Sequence, residues 1–342
     1  MRRFEGYHKG INFGGWYSQC PHTQTHYDSF ITDADFDRAA GFGIDHIRLP
    51  FDYELLETAE GRPIPEGYAR LQHVIDRCGA LGLNLILDLH KTAGYSFDDG
   101  EAEAGFFDSA PLQQRFYALW EEIARQFGKY ADRVAFELLN EVTDRGYSDR
   151  WNAISRECVR RIRAIAPETY ILLGGYWNNA INALPDLPMP FDSRIVYNFH
   201  CYEPLLFTHQ GALWVAGDMP ADFRIGYPGT AADYTQKQHD MNVIVMNIFE
   251  ESGAESADAE MFDGLFAKAA ALAEERGTVL YCGEYGVIQF ASDDDTRRWY
   301  ADIHAAFEKH GIGRAAWTYK SMHFGLTDPG RAAIRDDLIA SL

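Results

Sequence analysis

The chain has 342 residues, 46% hydrophobic and 14% aromatic, enough apolar material for a large core and too much for a disordered segment. Its 31 basic and 51 acidic residues leave a formal net charge of -20, which repels phosphate backbones and anionic lipid and so excludes nucleic acid and membrane surfaces as partners. No uncharged apolar run reaches the roughly 18 residues that a membrane-spanning helix needs.

Short apolar runs rich in β-branched and aromatic residues predict strands, in order, over Gly10–Phe13, Ile44–Leu49, Leu83–Leu89, Val134–Leu139, Tyr170–Gly174, Ile195–Phe199, Thr278–Cys282 and Arg314–Thr318. Helical periodicity falls between them, over Asp33–Phe42, Gly67–Leu81, Pro111–Tyr130, Asp149–Ala166, Met261–Arg276 and Ser292–His310. In the last of these Ser292 suits the N-cap, Asp293 to Asp295 suit the positive helix end, and Trp299, Ile303 and Phe307 form one apolar stripe. Strand followed by helix, repeated, with no Pro-rich or Gly/Ser-rich linker, predicts one α/β domain over residues 1–342, a (β/α)8 TIM barrel. The spacing breaks once, between the sixth and seventh strands. Residues 203–253 there predict a helical lid between strand six and helix six, with Met241, Ile244, Val245 and Ile248 on one side of a helix.

Five cysteines, Cys20, Cys78, Cys158, Cys201 and Cys282, are odd in number and never spaced Cys-x-x-Cys, a pattern that suits reduced thiols. The first nine residues lack the apolar centre of a secretion signal, so a cytoplasmic location is expected. Cys201 and Cys282 adjoin strand ends, but a nucleophilic thiol needs an aligned base, and small core packing is the favoured reading for both.

All strand C-termini of a parallel barrel open on one face, so the polar residues there can converge. They are Arg48, His90, Asn140 and Glu141, His200 and Tyr202, Glu284, and the flat ring of Trp317. Two carboxyl groups from different strands are what acetal hydrolysis requires, one to protonate the leaving oxygen and one to attack or assist at the anomeric carbon. Glu137, two residues before Leu139, is assigned a buried ion pair.

These residues, with Gly10-Ile-Asn-Phe-Gly-Gly-Trp16, Asp45-His-Ile-Arg-Leu-Pro-Phe-Asp52, Ala135-Phe-Glu-Leu-Leu-Asn140, Ile195-Val-Tyr-Asn-Phe-His200 and Leu280-Tyr-Cys-Gly-Glu-Tyr-Gly-Val-Ile288, resemble glycoside hydrolase family 5 over nearly the whole chain. Within it the sequence looks most like bacterial endoglucanases with a helical insertion after strand six. The resemblance implies a retaining hydrolase of β-1,4-linked glucan or gluco-oligosaccharides, with Glu141 as acid/base and Glu284 as nucleophile. By the same resemblance Arg48, His90, Asn140, His200, Tyr202 and Trp317 bind substrate or hold the acids, and neither a cofactor nor a metal is needed. The residue chemistry agrees: Arg48 and Tyr202 would hold Glu284 as a carboxylate, and desolvation with the Glu284 charge nearby would keep Glu141 protonated at first.

Trp16, Trp177 and Trp214 are further candidates for sugar stacking, weighed evenly against core or loop packing. The chain departs from many relatives at Lys91, where a second histidine is common, and at Val142, where proline is common. Exo-acting β-glucosidase action and hydrolysis of mannan or mixed-linkage glucan are alternatives. Readings from other classes are a metal-dependent hydrolase built on Asp88, His90 and His200, and a non-catalytic carbohydrate-binding barrel. A monomer is expected.

Overall fold

In the computed structural model, which describes residues 2–98, 101 and 103–342, eight parallel strands close into a barrel in chain order. They are β1 (Lys9–Asn12), β2 (His46–Asp52), β3 (Asn84–Lys91), β4 (Val134–Glu137), β5 (Ile171–Gly174), β6 (Ile195–His200), β7 (Val279–Tyr285) and β8 (Gly313–Ala316). Parallel pairing of β1 with β8 completes the ring. All eight predicted strands form, with ends that differ. The fourth leaves the ladder at Glu137 rather than Leu139, although the Leu138 and Asn140 amides still donate to the carbonyls of Leu172 and Leu89. The third and seventh run on to Lys91 and Tyr285, because backbone pairing continues past the apolar runs, Lys91 with Asp52 and Tyr285 with Ala316.

The main barrel helices are α1 (Asp33–Ala40), α2 (Pro65–Ala80), α3 (Ala110–Phe127), α4 (Ser148–Arg163), α5 (Ala259–Glu275) and α6 (Asp293–His310). In α6 the Ser292 hydroxyl accepts from the Asp295 amide at 3.2 Å, Gly311 closes the helix at φ 65°, and Trp299, Ile303 and Phe307 are fully buried as their spacing predicts. Three indoles fasten helices to strand ends. Trp120 of α3 donates to the Leu138 carbonyl at 3.0 Å, Trp151 of α4 to Gly174 at 2.9 Å, and Trp299 of α6 to Glu203 at 2.9 Å. Each bond satisfies a carbonyl at or just past the end of β4, β5 or β6, and buries a large apolar surface at the same place.

At the opposite end Phe4 and Tyr7 stack at 4.1 Å under the barrel, beside a chain from Asp45 through His46 to the Tyr281 hydroxyl. Between β6 and α5 lie the helices Leu205–Thr208, Ala231–Asp240 and Ile248–Ser252 and a hairpin pairing Gly229–Thr230 with Ser256–Ala257. The helix predicted through Met241, Ile244, Val245 and Ile248 does not form as such. Asn242 takes a left-handed φ of 50° and ends the preceding helix, the β-branched run that follows is irregular, and Ile244 is 88% exposed.

One tight approach yields a stability prediction. A Cβ on Gly67, in the first turn of α2, would lie 1.8 Å from the Leu55 carbonyl oxygen. Gly67→Ala should therefore lower unfolding stability by about 1–3 kcal/mol, despite its better helix propensity, as measured by urea denaturation.

Candidate active site

Inside the barrel mouth, strand register stacks polar residues in layers. Asn12 pairs with Arg48 in register, Asp88 with Glu137, and His200 with Glu284. Arg48 is wholly buried, and its guanidinium reaches side chains of four other strands. Its Nε and Nη2 donate to both oxygens of Glu137 at 2.7 and 2.8 Å, Nη1 donates to Glu284 at 2.7 Å and to Asn12 Oδ1 at 3.0 Å, and Nη2 also reaches Asn140 Oδ1 and Asp88, each at 3.0 Å. Burial works against its charge, but Asp88, Glu137 and Glu284 outweigh that and raise its pKa further. Glu137 thus has the buried ion pair assigned to it, and Asn198 donates to its Oε1 at 2.7 Å.

Glu284 accepts from Arg48 on one oxygen and from the Tyr202 hydroxyl on the other, at 2.9 Å. Burial raises the Tyr202 pKa well above that of a free phenol, so it stays a donor. The glycine before Glu284 has a steric reason: a Cβ on Gly283 would stand 2.8 Å from Asn198 Oδ1 and 3.0 Å from His200 Nε2.

Glu141 sits past β4 with a left-handed φ of 35°. Its Oε1 lies 2.6 Å from His200 Nδ1, and its Oε2 accepts from Asn178 Nδ2 at 2.8 Å. Burial raises its pKa, against the opposing pull of Asn178, His90 and Arg48. Burial also pushes His200 down to about 4, against the attraction of Glu284. His200 is therefore neutral at neutral pH. The contact with Glu141 is accordingly a hydrogen bond rather than an ion pair. Carboxylate oxygens of Glu141 and Glu284 and a ring nitrogen of His200 all lie within 4.8 Å of one another.

His90 Nδ1 bonds Asp88 at 2.7 Å, and although burial disfavours its charge, Asp88 raises its pKa. One face of His90 lies parallel to Trp317, 3° between planes at 5.8 Å, and Phe97 meets it edge-on at 4.9 Å. Gly14 leaves room for the Trp317 ring, because a Cβ there would fall 2.6 Å from it. All eight residues singled out at the strand ends, Arg48, His90, Asn140, Glu141, His200, Tyr202, Glu284 and Trp317, thus gather at one end of the barrel.

Other expectations divide. Trp16 is core, stacked on Tyr17 at 4.0 Å with its indole bonded to the Tyr27 carbonyl, whereas Trp177 and Trp214 are 45% and 55% exposed. Lys91 is bound by Glu54 at 2.5 Å and Glu101 at 2.7 Å, and these contacts outweigh burial to raise its pKa. Donor atoms of Asp88, His90 and His200 do not converge on one point among the described residues. Burial pushes the Cys201 and Cys282 thiols well above their usual pKa, which leaves no thiolate for nucleophilic work. Sequence reasoning missed Asn178 and Tyr95, whose hydroxyl donates to the Glu141 carbonyl at 2.6 Å. A hint of the first was legible in Asn178-Asn179 just past a strand, since asparagine tolerates left-handed backbone. Nothing in the sequence marked Tyr95.

Residues 8–323 match the profile of the cellulases, glycosyl hydrolase family 5. The chain is 47% identical over 314 residues to cellodextrinase A of Ruminococcus flavefaciens, covering 92% of this chain and 86% of that one. It is 34% identical over 333 residues to endoglucanase C of Acetivibrio thermocellus, covering 96% of each. Among solved structures, Cel5A of Thermotoga maritima superposes with a TM-score of 0.75 at 23% identity, both with a mannotriose substrate and with cellobiose, covering 98% of this chain and 97% of that one.

The Arg48 hub gives a second stability prediction. Arg48→Met leaves Glu137 and Asp88 buried without their cation, and should cost about 3–5 kcal/mol of unfolding free energy, measured by denaturant titration.

Proposed function

Since the chain belongs to glycosyl hydrolase family 5, the cellulases, we propose that Glu284 is the nucleophile and Glu141 the acid/base with which it cleaves short β-1,4-linked gluco-oligosaccharides. It is a glycoside hydrolase acting on β-1,4-glucans. The observation that carries the residue roles is the approach of the two carboxylates to within 4.8 Å between their nearest oxygens. A separation of about 5–5.5 Å suits attack by one carboxylate, whereas an inverting pair stands about 6.5–9.5 Å apart to admit water.

Glu284 attacks the anomeric carbon while the bond from that carbon to the leaving oxygen breaks, and the oxygen takes the proton of Glu141. The glycosyl ester so formed is then opened by water, which gives its proton to Glu141 as its oxygen bonds the anomeric carbon and Glu284 departs as carboxylate. The two environments fit these duties. Arg48 and Tyr202 hold the Glu284 charge in place before attack and receive it again on departure. Burial favours the protonated form of Glu141 at the start, and once Glu284 is esterified its negative charge is gone, which makes release of that proton easier to sustain.

Asn140, held by Arg48 through its Oδ1, directs its amide nitrogen toward the sugar 2-hydroxyl, and Trp317 supports the apolar face of the ring. Residues 203–253 serve as a fixed wall beside Tyr202. His209 packs edge-on against Tyr202 at 4.9 Å, and Trp214 stands exposed on the same segment. The 47% identity to a cellodextrinase favours soluble oligosaccharides over insoluble polymer. A second reading, tolerance of a mannosyl unit, draws on the mannotriose complex of the structurally similar Cel5A.

Glu284→Ala should abolish hydrolysis, and added azide should yield the glycosyl azide of opposite anomeric configuration, detected by NMR. Glu141→Ala should retain the first step on aryl cellobiosides with good leaving groups and lose it on cello-oligosaccharides. Wild-type enzyme should release the β-anomer first; an α-anomer in the initial spectrum would rule out the covalent route. On a panel from cellobiose to cellohexaose, set against soluble cellulose polymer, kcat/KM should be higher on the oligosaccharides; preference for polymer would overturn the proposed substrate class.

A further inference from the structure

Resting on that assignment of Glu141, we infer that Asn178 and Tyr95 are positioning residues that hold the acid/base from opposite sides, Asn178 by its carboxylate and Tyr95 by its backbone. Glu141 has a backbone that L-residues seldom adopt, with φ 35°, so something must hold it there. From the loop after β3, the Tyr95 hydroxyl donates to the Glu141 carbonyl at 2.6 Å and accepts from the Thr143 amide at 2.9 Å. From the turn after β5, the Asn178 amide donates to the Val142 carbonyl at 3.1 Å, and its side chain reaches Glu141 Oε2 at 2.8 Å.

That turn is itself unusual. Trp177, Asn178 and Asn179 have φ of 50°, 57° and 56°, three successive left-handed residues. Gly174 permits it, because a Cβ there would strike the Asn179 amide at 2.1 Å. Asn179 then lies 3.3 Å from His200 Nε2, and His200 Nδ1 meets the other Glu141 oxygen. One strained turn thereby touches both oxygens of the acid/base, one directly and one through His200. The absence of proline at 142 suits this arrangement, since a residue preceding proline is driven toward extended backbone.

The charged and titratable groups facing Glu141 are His200 from β6, Tyr202 just past it, Glu284 from β7, His90 from β3, Arg48 from β2, and the Tyr95 hydroxyl. Asn178 is the uncharged donor among its neighbours at Oε2, and a donor to a carboxylate favours the ionised form. Its loss makes the proton harder to remove, so the basic limb of the pH profile moves to higher pH.

The test is the pH dependence of kcat/KM on cello-oligosaccharides. Asn178→Gly removes the side chain while suiting the left-handed backbone, and should move the basic limb up by about 0.5–1 pH unit. Asn178→Asp keeps the shape, adds a negative charge, and should move it further. Tyr95→Phe should lower kcat about tenfold with the limb in place, because it frees the backbone without touching the carboxylate. A fixed or lowered limb in both Asn178 variants overturns the inference even if activity falls. Glu141→Gln, assayed on an aryl cellobioside with a good leaving group, separates the two levels. Loss of its basic limb upholds Glu141 as the acid/base whatever Asn178 does, while a limb that persists removes that assignment and this inference with it.

Discussion

A guanidinium that cannot be reached by water holds the mouth of this barrel together. Taking one cation and three carboxylates out of water costs several kcal/mol for each ion, and only close, well-directed pairing offsets it. Arg48 supplies that pairing through a planar fork, two bonds to Glu137 and one each toward Asp88 and Glu284, which ties β2 to β3, β4 and β7. Lysine could not replace it, because its donors radiate from one nitrogen and cannot make the paired bonds to Glu137 while also reaching Asp88 and Glu284. The same group that closes the polar layer also fixes one oxygen of Glu284, so the stability of the fold and the aim of the proposed nucleophile share one residue.

Around that hub, two glutamates of the same chemistry are given different lives. Glu284 is bonded by a cation on one oxygen and a phenol on the other. Among the described residues the Glu141 carboxylate is bonded by neutral groups, the Asn178 amide and an imidazole whose own proton affinity is depressed by burial. The difference is a matter of where each chain segment emerges. Glu284 lies within a strand, in register with His200 and bonded by Arg48, whereas Glu141 lies on an irregular turn beyond the strand, where neighbours from two loops can shape it.

Much of this was legible in the chain before any coordinates, and the reasons are local. Strand positions follow from apolar runs, and in a parallel barrel the end of each strand has only one face on which to deliver its polar residue, so Arg48, His90, Glu141, His200 and Glu284 could be grouped without knowing a single distance. Glu137 could be assigned an ion pair because a carboxylate inside a strand must find a cation. What escaped depends on contacts far apart in sequence. Tyr95 acts through a hydroxyl that bonds backbone 46 positions away, and tyrosine has no pattern that announces such a bond. Trp16 could not be sorted from the exposed tryptophans, since its fate was decided by stacking on Tyr17 and a bond to Tyr27. Around Met241 the apolar spacing fitted a helix, but Asn242 turned left-handed and the chain was free to pack Met241 and Val243 singly.

The long connection between β6 and α5 is stitched to its surroundings at many points. The Glu203 carbonyl takes the Trp299 indole, Ile288 donates to the Thr208 carbonyl, and the Tyr227 hydroxyl bonds Asp302 at 2.8 Å. A flap would need a free edge and a hinge, and these seams run through both the beginning and the middle of the segment. Its shape is therefore carried by the same helix that buttresses the barrel wall, and any change in the packing of α6 would be felt along this connection.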